Sequence, residues 1–247
     1  MKVVAFSASP RLPSFTDRLL SRFIDGLGSD LELKKYYPAK MKAGPCLGCW
    51  DCWTKEPRGI CRQKDDMMTV LPDVASADLI ILASPLYFDG FTSQMKKILD
   101  RFLPLVSYKM IVDGSGHSRH PRLKPKTQKV ILISSCGFPE SDNFHALKEH
   151  FSAIVRNMQA ENYGTITISA AGMAAAPGFF KTKYRLITQA GQALKEKGII
   201  PPELLEEINQ EVINRQDYRA IANSAFAGGF LGTVKALVRT IFHRKFQ

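Results

Sequence analysis

The chain has 247 residues, 45% of them hydrophobic and 23% charged, which excludes wholesale disorder. Its net charge of +11 is concentrated in two segments, Ser107–Lys129 (+5) and Phe230–Gln247 (+4), so the body is nearly neutral, unlike a domain built throughout to follow a nucleic-acid backbone. No apolar run reaches the roughly 20 residues of a bilayer span, and Met1–Phe6 is too short an apolar stretch for a signal peptide; the expected setting is the cytoplasm.

In chain order, Lys2–Ser7 is a Val-rich run that fits a buried first strand, followed by a helical pattern over Ser14–Leu27. Leu31–Tyr37 alternates apolar and polar residues, as a strand near a sheet edge does. A cysteine-rich segment leads to a helix over Asp65–Ala75, with Asp65-Asp66 as its N-terminal cap. Asp78–Ser84 is the next buried strand. It precedes a helix over Thr92–Leu103, where Met95, Ile98, Leu99 and Phe102 make one apolar stripe. Ser107–Gln128 is long, basic and rich in Gly, His and Pro, which predicts a surface loop. Strand Lys129–Ser135, a helix near Asp142–Met158 and strand Thr165–Ala170 complete the alternation. Strand and helix alternating five times predict a doubly wound α/β sheet. After Ala170 come helical patterns over Phe179–Lys197, Pro202–Ile213, Asp217–Ala225 and Leu231–Arg244. The expected division is residues 1–175 and a helical extension, 176–247, on the same domain.

Chemistry is expected at the strand ends. Ser7–Thr16 joins the first strand to a helix, and such a turn offers free backbone N–H groups and the positive end of a helix dipole. Ser9, Arg11, Ser14 and Thr16 would complete a phosphate cradle, and the plainer alternative is an ordinary N-cap by Ser14. Neither G-x-G-x-x-G nor a Walker lysine is present. Ser84–Phe91 follows the third strand, beside the switch point of a 2-1-3-4-5 sheet, where a Pro-stiffened aromatic loop suits a planar ring. Ser134–Pro139 approaches the same crevice.

Cys46, Cys49, Cys52 and Cys61 are spaced C-x2-C-x2-C-x8-C. Three thiols at two-residue gaps with a fourth from a Gly-containing loop suit a [4Fe-4S] cluster. Zinc fits less well, because compact zinc sites pair separated C-x2-C units. Free or redox-active thiols in a loop held by Trp50 and Trp53 are the plainer alternative. No hydrolase motif accompanies them.

These stretches together resemble the NAD(P)H-dependent FMN reductase branch of the flavodoxin-like proteins, which includes the iron–sulfur flavoproteins. The resemblance rests on Ser9-Pro10-Arg11 with Ser14 and Thr16, on Pro45–Cys52, on Gly59-Ile60-Cys61 with Asp65-Asp66-Met67, and on Ser84–Tyr87 with Gln94-Met95-Lys96. It spans roughly residues 1–170. It implies a flavodoxin-like five-stranded parallel sheet and FMN as cofactor, with Ser9, Arg11, Ser14 and Thr16 at the phosphate and Phe15 also in the cofactor site. Pro85, Leu86, Tyr87, Phe88 and Gly90, with Ser135, Cys136 and Gly137, would lie near the ring. It also implies NAD(P)H as co-substrate, a quinone, flavin, metal or protein as electron acceptor, and a homodimer or homotetramer. The alternative is an iron–sulfur flavoprotein that carries electrons between redox proteins. His117, Arg119, His120 and Arg122 are read as a solvated loop, the other choice being contact with an anionic nucleotide or acidic substrate. His145 and His150 are read as helix-surface residues. Phe230–Phe242 makes a basic amphipathic helix, which suits packing on a subunit or, less well, a membrane surface.

Overall fold

β1 (Lys2–Ser7), β3 (Leu79–Pro85) and β6 (Lys129–Ser135) carry Val, Ile and Leu on both faces, and burying both faces takes all three to the middle of one sheet. The computed structural model describes residues 1–124 and 126–227. β2 (Glu32–Tyr36) and β7 (Glu161–Ile168) form the edges, giving the all-parallel order β2-β1-β3-β6-β7. A separate hairpin, β4 (Ile111–Val112) with β5 (Ser118–Arg119), projects from the β3–β6 crossover. Counting only strands of the main sheet, the order is the expected 2-1-3-4-5.

Successive side chains on a strand point to opposite faces, so each central strand feeds two cores. Val3, Ala5, Ile81 and Ile133 pack under α1 (Phe15–Leu27), α6 (Lys181–Lys197) and α7 (Pro202–Asn209). Val4, Phe6, Ile80 and Leu132 pack under α3 (Met67–Ser76), α4 (Ser93–Asp100) and α5 (His145–Asn157). A four-residue helix, α2 (Asp51–Thr54), sits inside the cysteine segment. Helices α1 and α6 touch through backbone: a Cβ on Gly26 would stand 2.0 Å from the Thr188 carbonyl oxygen, and one on Gly191 2.2 Å from that of Phe23.

Several boundaries differ from expectation, each for a local reason. The last sheet strand begins at Glu161 and ends at Ile168, because its first half is a polar edge carrying Gly164 and because Ala170 turns left-handed (φ 54°). The helix expected over Thr92–Leu103 ends at Asp100 and gives way to a 3-10 turn, since Pro104 cannot donate to the ladder. The helix expected to reach Ile213 stops at Asn209, whose carboxamide oxygen accepts from the Thr167 N–H (2.7 Å) and whose Nδ2 donates to the Thr165 carbonyl (2.9 Å). The next helix occupies residues 215–227.

The basic segment is more engaged than a solvated loop. Arg119 pairs with Asp113 (3.2 Å), Lys126 with Asp78 (2.7 Å), and Arg122 Nη1 donates to the Met158 carbonyl (3.1 Å). His150 meets the Phe91 ring edge-on at 5.4 Å rather than facing only solvent. No helix among the described residues is long and apolar enough to cross a membrane. The expected helix at Leu231–Arg244 lies outside the described residues.

Candidate functional site

Three loops meet at the C-terminal edge of the sheet, and short polar bonds lock them together. Ser14 caps α1 by accepting the Asp17 N–H (3.1 Å). Asp17 in turn accepts from the Ser7 hydroxyl (2.7 Å) and pairs with Lys35 (2.9 Å). Among the described residues, the first-turn N–H groups of Phe15 and Thr16 have no protein acceptor, as helix geometry dictates. The buried Thr16 hydroxyl lies 2.7 Å from that of Ser135, tying the β1 loop to the end of β6. The Leu86 N–H donates to the Ser135 carbonyl at 2.8 Å and ties in the β3 loop.

The β3 loop is a tight turn. Tyr87 and Gly90 exchange backbone hydrogen bonds of 3.2 Å, and both central residues, Phe88 (φ 44°) and Asp89 (φ 59°), are left-handed. For Phe88 that conformation costs about 1–2 kcal/mol, and its side chain is fully exposed. Thr92 holds the turn down: its hydroxyl donates to the Ala8 carbonyl (3.0 Å) and its N–H to Ser84 Oγ (3.2 Å).

These loops surround a cavity of about 580 Å³. The β1 loop contributes Ser9, Arg11, Ser14, Phe15 and Thr16, the β3 loop Pro85, Leu86 and Tyr87, and the β6 loop Ser135 and Gly137. Three of the residues expected near the ring stand outside its walls. Phe88 is at the exposed tip, Gly90 closes the turn, and Cys136 is turned into the core, where burial pushes its thiol up.

The sequence reading missed one wall entirely. Tyr218, Ile221, Ala222, Ala225 and Phe226, from helix 215–227, line the same cavity, with Phe138 and the Ala171–Ala176 turn. The Tyr218 hydroxyl donates to the Gly137 carbonyl, and burial pushes its ionisation up. The Ser141 N–H donates to Glu211 (3.0 Å), Arg215 forks onto Glu211, and Arg219 pairs with Glu140 (3.0 Å). The helix is thus fastened to the loop after β6. The spacing of Tyr218, Ile221, Ala222 and Ala225 marked one helical face, but nothing local says what that face covers.

The cysteines lie at the far end of α4. Cys46, Cys49, Cys52 and Cys61 line one small pocket; Cys46 and Cys49 are exposed, Cys52 is buried and Cys61 half-buried. Burial, reinforced by the neighbouring thiols, pushes Cys52 up to about 11. Among the described residues, no three His, Cys, Asp or Glu side chains are placed to hold a single metal ion. The Trp50 and Trp53 rings pack at a tilt, 5.1 Å apart, and Trp53 Nε1 donates to the Val106 carbonyl (2.9 Å). Arg101, only 1% exposed, closes the pocket: Nη1 donates to the Gly44 carbonyl (2.9 Å) and Asp65 (2.7 Å), and Nη2 to Asp65 (3.0 Å) and the Cys61 sulfur (3.3 Å). Asp65 therefore does more than the capping expected of it.

Burial alone would raise the Asp65 carboxyl, but the Arg101 fork and the Gly44 and Met67 N–H donors outweigh it and hold the group below its usual range. A depressed carboxyl contributes stability above its unfolded pKa of roughly 3.9 and loses it as pH falls through the lower folded value. Wild type is therefore expected to lose more stability than Asp65→Asn on acidification below roughly pH 5, as read from urea midpoints. Parallel acid limbs would contradict this.

Comparison with known proteins bears on both sites. A family model described as NADPH-dependent FMN reductase matches residues 1–170. An iron–sulfur flavoprotein of Archaeoglobus fulgidus is 34% identical over 142 residues, covering 57% of this chain and 58% of the relative. One from Methanocaldococcus jannaschii is 35% identical over 106 residues, 42% and 53% of the two chains. The chain thus spans about half the length of the curated relatives it matches. The fold resembles an FMN-dependent NADH-azoreductase of Bacillus anthracis solved with FMN (TM-score 0.59, 13% identity, 79% of this chain and 100% of that one). It also resembles an NAD(P)H:quinone oxidoreductase of Methanothermobacter marburgensis (TM-score 0.59, 16% identity, 79% and 98%). At these identities the likeness is one of fold.

Proposed function

The chain belongs to the NADPH-dependent FMN reductase family of oxidoreductases, and on that premise we propose that its three-loop cavity binds FMN and serves an NAD(P)H-dependent reductase. The observation that carries the proposal is the β1 loop. It brings the free N–H groups of Phe15 and Thr16, the start of α1 and the hydroxyl-bearing Ser9, Ser14 and Thr16 to the wall of a cavity of about 580 Å³, the chemistry a phosphate monoester requires. Arg11, exposed at the mouth, supplies the cation. Tyr87, Gly137–Phe138 and the Ile221–Phe226 face flank the remainder with flat or apolar surface suited to a ring system. Bound there, FMN would supply the redox chemistry between NAD(P)H and an acceptor such as a quinone, flavin, metal ion or redox protein. Hydride transfer asks no acid or base of the protein, and we assign none. The chain's residues anchor the phosphate, flank the ring and keep water from its buried side.

The cysteine pocket favours a second reading, in which Cys46, Cys49, Cys52 and Cys61 hold a [4Fe-4S] cluster and the protein carries electrons between redox partners. The donor set fits: four thiolates at short gaps, beside a buried guanidinium whose Nε has no partner among the described residues. The cluster would supply one-electron chemistry; the protein would supply its ligands and the charge around them.

We place the protein in the cytoplasm, where its five free cysteines would stay reduced, as one unit comprising residues 1–175 and the helical extension 176–247. We infer a homodimer or homotetramer whose second copy covers the exposed Tyr87, Phe88 and Phe138 at the cavity mouth. A visible spectrum after reconstitution, with iron and acid-labile sulfide assays and NAD(P)H oxidation kinetics, tests both readings. Stoichiometric FMN with turnover on quinones supports the reductase; FMN with four irons and four sulfides, slow turnover and fast exchange with a ferredoxin supports the carrier. No flavin retention would sink both.

A further inference from the structure

We propose that Arg101 is the counter-cation of the four-cysteine site, raising the reduction potential of the cluster that site holds through its charge and an N–H···S bond, and not merely bracing the loop. The proposal rests on the iron–sulfur reading above.

Removing a guanidinium from water is unfavourable unless every donor and the charge itself are answered. Arg101 is almost wholly buried, yet only part of it is answered. Asp65 takes one N–H from each terminal nitrogen, and the Gly44 carbonyl takes a second from Nη1. That much would brace the loop, because Asp65 also accepts the Gly44 N–H (3.1 Å) and the Met67 N–H (3.1 Å), joining both ends of the cysteine segment. Bracing does not account for the rest. Nη2 also reaches the Cys61 sulfur at 3.3 Å, and Nε is buried with no acceptor among the described residues. Both belong to a side chain lining the pocket shared by Cys46, Cys49, Cys52 and Cys61. Sulfur in a neutral thiol is a poor acceptor and in a thiolate a good one, so this donor edge suits an anionic sulfur site.

The sign of the effect follows. Adding one electron to a thiolate-ligated cluster adds one negative charge, which a neighbouring cation and N–H···S bonds stabilise. Arg101 therefore favours the reduced form, and Asp65, the acid beside it, opposes that effect.

The test is an anaerobic redox titration, followed by electron paramagnetic resonance, of the reconstituted full chain, with iron, sulfide and FMN counted in each sample. In Arg101→Gln the oxidised-to-reduced ratio at fixed potential should rise at least tenfold, a fall of about 59 mV for a one-electron couple. In Asp65→Asn the shift should have the opposite sign. Arg101→Lys, which keeps the charge and loses the fork, should fall between Arg101→Gln and wild type. FMN content should stay unchanged throughout. Shifts of the same sign in Arg101→Gln and Asp65→Asn, no shift in either, or loss of the cluster from all three variants would each overturn the proposal and leave Arg101 as a brace. Wild type that binds FMN but takes up neither iron nor sulfide would overturn the iron–sulfur reading itself, and this proposal with it.

Discussion

Thr16→Val is expected to keep the fold and weaken FMN binding about ten- to a hundredfold in a fluorescence titration. Valine keeps the branched shape but loses the hydroxyl that faces Ser135 at 2.7 Å on the cavity wall. A hydrogen bond to a charged group contributes about 1.5–3 kcal/mol, and a tenfold change in affinity corresponds to about 1.4 kcal/mol. The Ser135 hydroxyl is left without its partner as well, so loss of the cradle and loss of the loop tie act in the same direction. Ser14→Ala provides the contrast. Ser14 Oγ accepts the Asp17 N–H, so its removal is expected to cost about 1 kcal/mol of stability in addition to its hydroxyl's share of the cradle. Affinity within twofold of wild type for Thr16→Val would mean that the phosphate is held elsewhere.

Gly191→Ala is expected to destabilise the chain by about 2 kcal/mol or more, although alanine in a helix interior ordinarily gains about 1 kcal/mol over glycine. The contact decides the sign. The new Cβ would stand 2.2 Å from the Phe23 carbonyl oxygen and 3.0 Å from the Gly26 Cα, and these are backbone atoms that no rotamer change can move. Helices α1 and α6 would have to part, and overpacking of this kind costs about 1–3 kcal/mol and occasionally more. At roughly 2–4 °C per kcal/mol for a chain of this size, the melting temperature should fall by several degrees. Gly26→Ala meets the same interface from the other side, so the two losses should not add when combined. A melting temperature at or above wild type for Gly191→Ala would show that the two helices can separate freely.

The parallel sheet and its strand order were legible in the sequence because β1, β3 and β6 are uninterrupted Val, Ile and Leu runs, and each is followed by a helical period. The three loops that ring the cavity were legible for the same reason: strand ends are set by where the apolar run stops. The helix 215–227 wall was not, since its apolar face could equally have met a subunit or its own core. The ion pair between Arg101 and Asp65 was hidden too. Two residues 36 apart in sequence carry no local sign that they meet. Asp65 looked like part of a helix cap; the N-cap is Asp66, and the Asp65 carboxylate accepts the first-turn Met67 N–H, but its stronger partner comes from another element. The basic segment misled in the opposite sense, because composition reports charge and not the acids, such as Asp78 and Asp113, that fold back to meet it.

The wall contributed by Tyr218 and its neighbours lies outside residues 1–170, the part matched by the family model. On the proposed reading, the phosphate anchor lies wholly within the matched stretch, whereas the ring end takes part of its wall from outside it. A chimera that grafts another member's tail onto this sheet should inherit the β1 loop unchanged and take its choice of ring partner from the donor. Exchange of this kind offers evolution a way to retarget the protein without disturbing its grip.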